Sequence, residues 1–426
     1  AKWSLPNAFH HPGNPMPLPA RNTLAIIGAG PVGLETALAA MDAGLDVHVF
    51  ERGEVASHPI AWGHVRMFTP WRMNLGPATR AHLERTDWAA PPAEDCPTGL
   101  ELSELALQPA ARLPELANRV HAHSKVIHVS RRGALKGDWV GKPERREYPF
   151  RLLVRNAGGR ESFLHAFSVV DASGTYGQPN WAGAGGIPAR QELYVAPQLS
   201  YHLDDVRGLR RERYAGKRTM VIGSGLSAAT VVSDLVKLAA DAPATCVVWV
   251  TRHSTGPLYA PLPADPLEGR RALMEEARTL IGGAHAAVAH IGGAAVEGFE
   301  FNSATHRYRV ALALGGEEAR LEEVDHVIVN AGYRPDDSVY RELQIHECYA
   351  TSGPMKLAAS LLGAGADCLQ APAVGIEALG NPEPDFYIAG AKSYGRNGDF
   401  LLETGFRQVA EIVARLTADC AKPVVA

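Results

Sequence analysis

The chain has 426 residues, with 42 Lys and Arg against 46 Asp and Glu, a formal net charge of −4. At about 100–200 residues per domain, this length predicts two or three domains with ample core. Hydrophobic residues at 46% and charged residues at 21% exclude wholesale disorder and a coiled coil, and the lack of a basic excess argues against nucleic-acid partners. The five cysteines, Cys96, Cys246, Cys348, Cys368 and Cys420, are scattered and form no C-x-x-C pair, which excludes a disulfide framework, a zinc knuckle and a dithiol redox centre.

Residues 1–20 carry Pro6, Pro12, Pro15, Pro17 and Pro19, a pattern that predicts an extended arm serving packing or a homodimer contact. The start of the chain lacks an apolar secretion-signal core, and no window approaches the roughly 18 apolar residues of a membrane span. A soluble cytoplasmic protein without membrane contact is expected.

Thr23 to Ile27 is an apolar run that predicts a strand buried on both faces, and it leads straight into Gly28-Ala29-Gly30-Pro31-Val32-Gly33. A helix is predicted from Leu34 to Ala43, ending before Gly44, and Asp46 to Phe50 forms the next strand with Glu51 at its tip. In this β-α-β order Gly28 permits the tight turn, Gly30 the approach of a pyrophosphate and Gly33 the closure of helix on strand. Glu51, 23 residues after Gly28, is placed to take the hydroxyls of an adenosine ribose, with Arg52 beside it.

Downstream, Gly63 to Asn74 interleaves aromatics and cations, including Arg66, Trp71, Arg72 and Asn74. Such a segment suits an isoalloxazine ring and an anionic pyrophosphate, or else is a buried loop whose arginines pair with local carboxylates. Val126 to Val129 and Arg151 to Arg155 predict strands of a small antiparallel layer.

The architecture then repeats. Arg218 to Ile222 predicts a strand, Gly223-Ser224-Gly225-Leu226-Ser227-Ala228 a second glycine loop, and the helix runs to about Leu238. The strand Cys246 to Val250 ends in Thr251-Arg252 instead of an acid. Arginine there, together with Ala228 in place of a third glycine, favours NADPH over NADH, the alternative being an ordinary surface arginine. Two sites imply one that retains FAD and one that admits the nicotinamide nucleotide that reduces it.

With these motifs in hand, the chain resembles the two-dinucleotide-binding-domain flavoproteins, most closely the class B flavin monooxygenases and amine N-hydroxylases. Val170 to Thr175, with Ser173 and Gly174, and Val329 to Pro335 resemble their strand-end turns, and Asp385 to Gly390 resembles their third FAD contact. The resemblance implies two Rossmann-like α/β domains, an FAD domain from residues 21–205 and 333–426 interrupted by an NAD(P)H domain at 206–332. It also implies oxygenation of a small S, N or related heteroatom substrate by O₂ through a C4a-(hydro)peroxyflavin. The alternative is a reductase passing electrons to a quinone or a small redox protein.

Departures from the family pattern bear on the chemistry. Gln198-Leu199-Ser200-Tyr201-His202 stands where a Baeyer–Villiger fingerprint would fall, so ketone oxygenation is not expected, and the segment is read as a linker contact or a nicotinamide contact. Ala391-Lys392-Ser393-Tyr394 replaces the acid that disulfide-reductase relatives place after the third-motif glycine. Lys392 to Arg396 and Thr69 to Arg72 resemble stretches of flavoproteins found partly in arsenic-resistance gene clusters, which implies a soft heteroatom substrate.

Asp399 is predicted to cap a helix from Phe400 to Leu416 whose amide end would face reduced flavin, with Lys392 or Arg396 either assisting or solvated. Pro257 to Arg278 reads as an insertion ending in a helix. Arg207, Arg210, Arg211 and Arg213 read as a solvated loop or as a cluster attracting NADPH or a redox partner. The histidines lack metal-ligand spacing, and no metal is expected.

Overall fold

The computed structural model describes residues 18–254, 260, 265–283, 285–315, 320–362 and 375–420. Most of the proline-rich arm, and Pro257, Pro261 and Pro263 of the insertion, lie outside the described residues. The chain divides into two units, Gln178–Tyr333 and the residues on either side of it.

The flanking unit opens with β1 (Thr23–Ile27), buried at every position, followed by α1 (Pro31–Asp42) and β2 (Asp46–Phe50). The helix starts three residues before its predicted position because Pro31, with φ fixed for a helix and no N–H to satisfy, fits the first turn. It stops at Gly44, whose φ of +82° lets Leu45 N–H reach back to Ala40 C=O at 2.9 Å and Gly44 N–H to Met41 C=O at 2.9 Å.

Short helices fill residues 57–117. One of them, Pro77–Leu83, is anchored by α1: the buried Glu35 carboxylate accepts Ala78 N–H at 2.9 Å, Thr79 N–H at 2.8 Å and the Thr79 hydroxyl at 2.7 Å. A negative charge at that helix start is stabilising twice over, by hydrogen bonds and by the helix dipole.

β3 (Val120–His121) extends the parallel sheet beyond β2. β4 (Ser124–Arg131), β5 (Phe150–Asn156) and β6 (Glu161–Ala166) form the antiparallel layer expected from the sequence, and β7 (Ser168–Asp171) returns to pair in parallel with β1.

The second unit carries β8 (Arg218–Ile222), α2 (Leu226–Asp241), β9 (Cys246–Thr251), α3 (Glu268–Ile281) and β10 (Val288–Gly292). A three-stranded antiparallel sheet follows, of β11 (Ala294–Asn302), β12 (Arg307–Leu314) and β13 (Arg320–Val324), before β14 (His326–Val329) completes a parallel sheet in the order β10-β9-β8-β14.

This unit begins at residue 178, not at 206 as the sequence suggested. Residues 178–205 are tied into it by bridges from Pro179 to Tyr333, Gly183 to Val296, Arg190 to Gly298 and Ser200 to Ile328. Its two ends meet: Asn180 N–H donates to Gly332 C=O at 2.9 Å, and the Asn180 side-chain amide to Ala331 C=O at 3.1 Å.

The chain then returns to the flanking unit. β15 (Phe386–Ile388) pairs in parallel with β7, giving the order β15-β7-β1-β2-β3, and α4 (Leu402–Cys420) packs against α1. The predicted helix start at Phe400 is corrected by two residues. The Leu401 carbonyl accepts the first helical bonds, from Thr404 and Gly405, and Phe400 folds back with its ring 5.4 Å from that of Tyr394. Asp399 thus lies three residues before the helix, and its N–H is held by the Asn397 side chain at 2.9 Å.

Candidate dinucleotide sites

The two glycine loops are built alike, each pressed against the turn that ends a neighbouring strand. Gly28 has φ +102° and its N–H donates to Phe50 C=O at 2.8 Å; a Cβ there would lie 2.8 Å from Ala172 O. Gly223 has φ +142° and its N–H donates to Val250 C=O at 3.0 Å; a Cβ there would lie 2.2 Å from Asn330 O. Only glycine combines that φ with that approach.

The middle glycines are different. Gly30 and Gly225 sit in extended conformation at the N-caps of α1 and α2, no side chain caps either helix, and the space where a Cβ would project is open to beyond 4 Å. Each loop thus leaves a helix N-terminus with a sterically clear approach at its middle glycine, which is the geometry that admits a pyrophosphate. Gly33 closes the first loop, where a Cβ would stand 1.9 Å from Gly28 O. The second loop carries Ala228 at this place and Ser227 before it, both inside α2.

The strand tips differ as the sequence suggested. Glu51 is buried, accepting Ala29 N–H at 2.9 Å and Gly53 N–H at 2.8 Å, so its carboxylate is fixed beside the first glycine loop. Arg52 is exposed, with a nitrogen 2.8 Å from His58 Nε2 and its guanidinium against Gly177. Arg252 follows β9, exposed, and no carboxylate among the described residues pairs with it.

The segment read from the sequence as a third contact lies beside the first loop. Gly390, with φ +71°, packs on Val32 at the start of α1, and its N–H donates to Gln408 of α4 at 2.9 Å. Gly174 likewise adopts φ +69°, and the Ser173 hydroxyl donates to Asp171 at 2.6 Å.

Lys392 is not solvated. Its ammonium lies 2.6 Å from Asp171 Oδ2 and 3.2 Å from Ser173 Oγ, and 4.9 Å from the centre of the Tyr340 ring. Tyr340 in turn donates to Glu347 at 2.9 Å, and burial raises the pKa of both groups. Sequence reasoning missed Asp171, although the strand-end turn that contains it was recognised.

The segment from Gly63 to Asn74 ends in a short helix, Trp71–Asn74, and its two arginines face local carboxylates. Exposed Arg72 pairs with Glu94 at 3.0 Å, and exposed Arg66 with the Cys96 carbonyl and with Glu101 at 3.5 Å. Trp71 is buried in the core beneath α1, and Asn74 is buried with its amide donating to Thr69 C=O at 2.7 Å.

The segment from Gln198 to His202 belongs to the second unit. There Tyr201 donates to buried Glu192 at 2.9 Å, and burial lowers the pKa of His202, whose ring lies 3.2 Å from the Tyr333 hydroxyl. Cys96, Cys246 and Cys348 are free thiols. No cluster of metal-binding side chains occurs among the described residues, and no described helix is long and apolar enough to cross a membrane.

No protein-family model matches the sequence, and no curated protein matches it significantly. Solved structures do match the fold over nearly its whole length. The bacillithiol disulfide reductase from Bacillus cereus superposes with a TM-score of 0.67 at 18% identity, covering 93% of this chain and 99% of its own. The cadaverine monooxygenase of desferrioxamine biosynthesis from Erwinia amylovora, solved bound to FAD, gives 0.60 at 12% identity over 93% and 94%. L-lysine 6-monooxygenase from Pseudomonas syringae gives 0.55 at 16% identity over 94% and 99%. The chain has the α/β fold of these two-domain flavoproteins.

Proposed function

We propose that the protein is an FAD-containing, NADPH-consuming monooxygenase that transfers one oxygen atom of O₂ to a small substrate bearing a soft nucleophilic sulfur, nitrogen or related heteroatom. The observation that carries the reading is the pair of matching glycine cradles, each with no side-chain cap at its helix N-terminus, one ending in a fixed carboxylate and the other in an arginine that no carboxylate among the described residues pairs with.

In this reading the first loop holds the FAD pyrophosphate on the amides of α1, and Glu51 takes the adenosine ribose hydroxyls. Gly390 and the start of α4 complete the flavin side. The second loop holds the NADPH pyrophosphate on α2, and Arg252 meets the adenosine 2′-phosphate. Bound FAD would accept hydride from NADPH and activate O₂; the chain's own task is to bind, orient and exclude water. Scattered cysteines offer no dithiol relay, and this favours oxygen transfer over disulfide reduction.

A second reading, an NADPH-dependent reductase passing electrons to a quinone or small redox protein, is supported by the higher TM-score of the bacillithiol disulfide reductase. The two separate by labelling. With ¹⁸O₂, thioethers, thiols, amines or trivalent arsenicals should yield product carrying one labelled atom and should suppress hydrogen peroxide release. Unlabelled products throughout, with peroxide matching the NADPH consumed, would assign the protein to the reductases.

A further inference from the structure

The second unit contains a cavity of about 440 Å³ that none of the dinucleotide geometry uses. It opens at the start of β14, lined by His326, whereas Gly223 presses on Asn330, just beyond the other end of that strand. A strand rises about 3.3 Å per residue, so the two places lie roughly 10 Å or more apart along the strand, at opposite ends of the parallel sheet.

One wall is aromatic. Phe301 and Tyr308 face each other with ring centres 5.0 Å apart, Tyr308 buried and Phe301 half-buried. Burial raises the Tyr308 pKa, so its hydroxyl keeps its proton. Arg210 and Arg213 also line the cavity.

The two acids in the lining are already committed. Asp204 accepts Ser200 Oγ at 2.9 Å and the Tyr214 hydroxyl, and Asp325 accepts Arg218 N–H at 2.8 Å and faces Arg307 at 3.3 Å. Arg213 donates to Gln198 C=O at 3.1 Å, which uses one of its five N–H groups, and Arg210 is exposed with no carboxylate partner among the described residues. What the cavity offers a ligand is therefore cationic donors at the rim and aromatic surface on the wall.

We propose that this cavity is a second, separate ligand site, taking a small organic anion whose phosphate or carboxylate meets Arg210 and Arg213 while its flat body lies against Phe301 and Tyr308. A planar guanidinium matches either oxyanion, and an aromatic wall rewards an attached ring over the bare ion. The proposal stands independently of the oxygenase reading, since no residue lining the cavity belongs to either glycine cradle.

The test is calorimetric titration of the full-length, flavin-loaded protein with phenyl phosphate, benzoate and inorganic phosphate, each with and without saturating NADP⁺. Saturable binding of phenyl phosphate or benzoate that survives NADP⁺, at least several-fold tighter than inorganic phosphate, is expected. Comparison of phenyl phosphate with benzoate identifies the preferred oxyanion. Arg210→Gln, at an exposed position, should weaken that binding about tenfold, as should Arg213→Gln, while the KM for NADPH stays unchanged. Absence of saturable binding, competition by NADP⁺, or unaltered affinity in both arginine variants would overturn the proposal.

Discussion

The ammonium of Lys392 lies 2.6 Å from Asp171 Oδ2, and neither side chain has any solvent exposure. The two residues are 221 positions apart and join the turn that presses on Gly28 to the segment that follows Gly390. Removing one partner of such a pair strands a buried charge, at a cost of about 3–5 kcal/mol, whereas removing both leaves none. Lys392→Met and Asp171→Asn should each lower the urea midpoint strongly. The double variant should be less destabilised than the sum of the two, a coupling that equilibrium unfolding measures directly.

The glycines of the first loop should separate folding from flavin binding. Gly33→Ala forces a Cβ to 1.9 Å from a backbone oxygen and should cost at least about 2 kcal/mol of stability. Gly30→Leu meets open space at its Cβ, so the protein should keep the melting temperature of the flavin-free wild type and purify colourless. Full flavin content in Gly30→Leu would remove the first loop from the FAD site.

Arg252→Gln should raise the KM for NADPH about ten- to a hundredfold, the worth of one charge-assisted contact to a dianionic phosphate, and leave NADH nearly untouched. Steady-state kinetics with the two nucleotides checks this. Equal effects would place the 2′-phosphate elsewhere.

His165 on β6 is buried with neither ring nitrogen hydrogen-bonded, and burial reinforced by Arg132 and Arg151 depresses its pKa from 6.5 to about 4. Between those values the unfolded chain binds a proton that the folded one refuses, so this residue makes stability fall as pH drops from about 6.5 to about 4. The shift is worth about 3 kcal/mol at the acid end. His165→Leu should flatten the pH dependence of the unfolding free energy in that window and raise stability most near pH 4.

The parallel sheets were legible in the sequence because their strands carry their own signal. β1, β2 and β8 have the predicted bounds, each an apolar or half-apolar run bounded by glycine or a charged residue. β11 was not read, and its pattern shows why: a bulge between Val296 and Gly298 shifts the inward face partway along and destroys the period of two. Most helices of residues 57–117 are four to seven residues long, too short for a helical period to show, and the longer helical stretch Gly99–Ala111 has a π-helical middle, Ser103–Leu107, that breaks the period. At the candidate site, the glycines and strand tips were readable from local spacing alone. Lys392 with Asp171, and Glu35 with Thr79, were not, since nothing in either neighbourhood names a partner brought in by the fold.

The meeting of Asn180 with Gly332 makes the stretch from Gln178 to Tyr333 a cassette. Its entry and exit strands are one hydrogen bond apart, so to the host sheet it is a closed loop, and the entropy of closing a loop grows only with the logarithm of its length. Such an arrangement lets a gene gain, lose or exchange the whole unit by two splices whose ends meet in space, without disturbing the strand order of the host. The two units are thereby free to diversify separately.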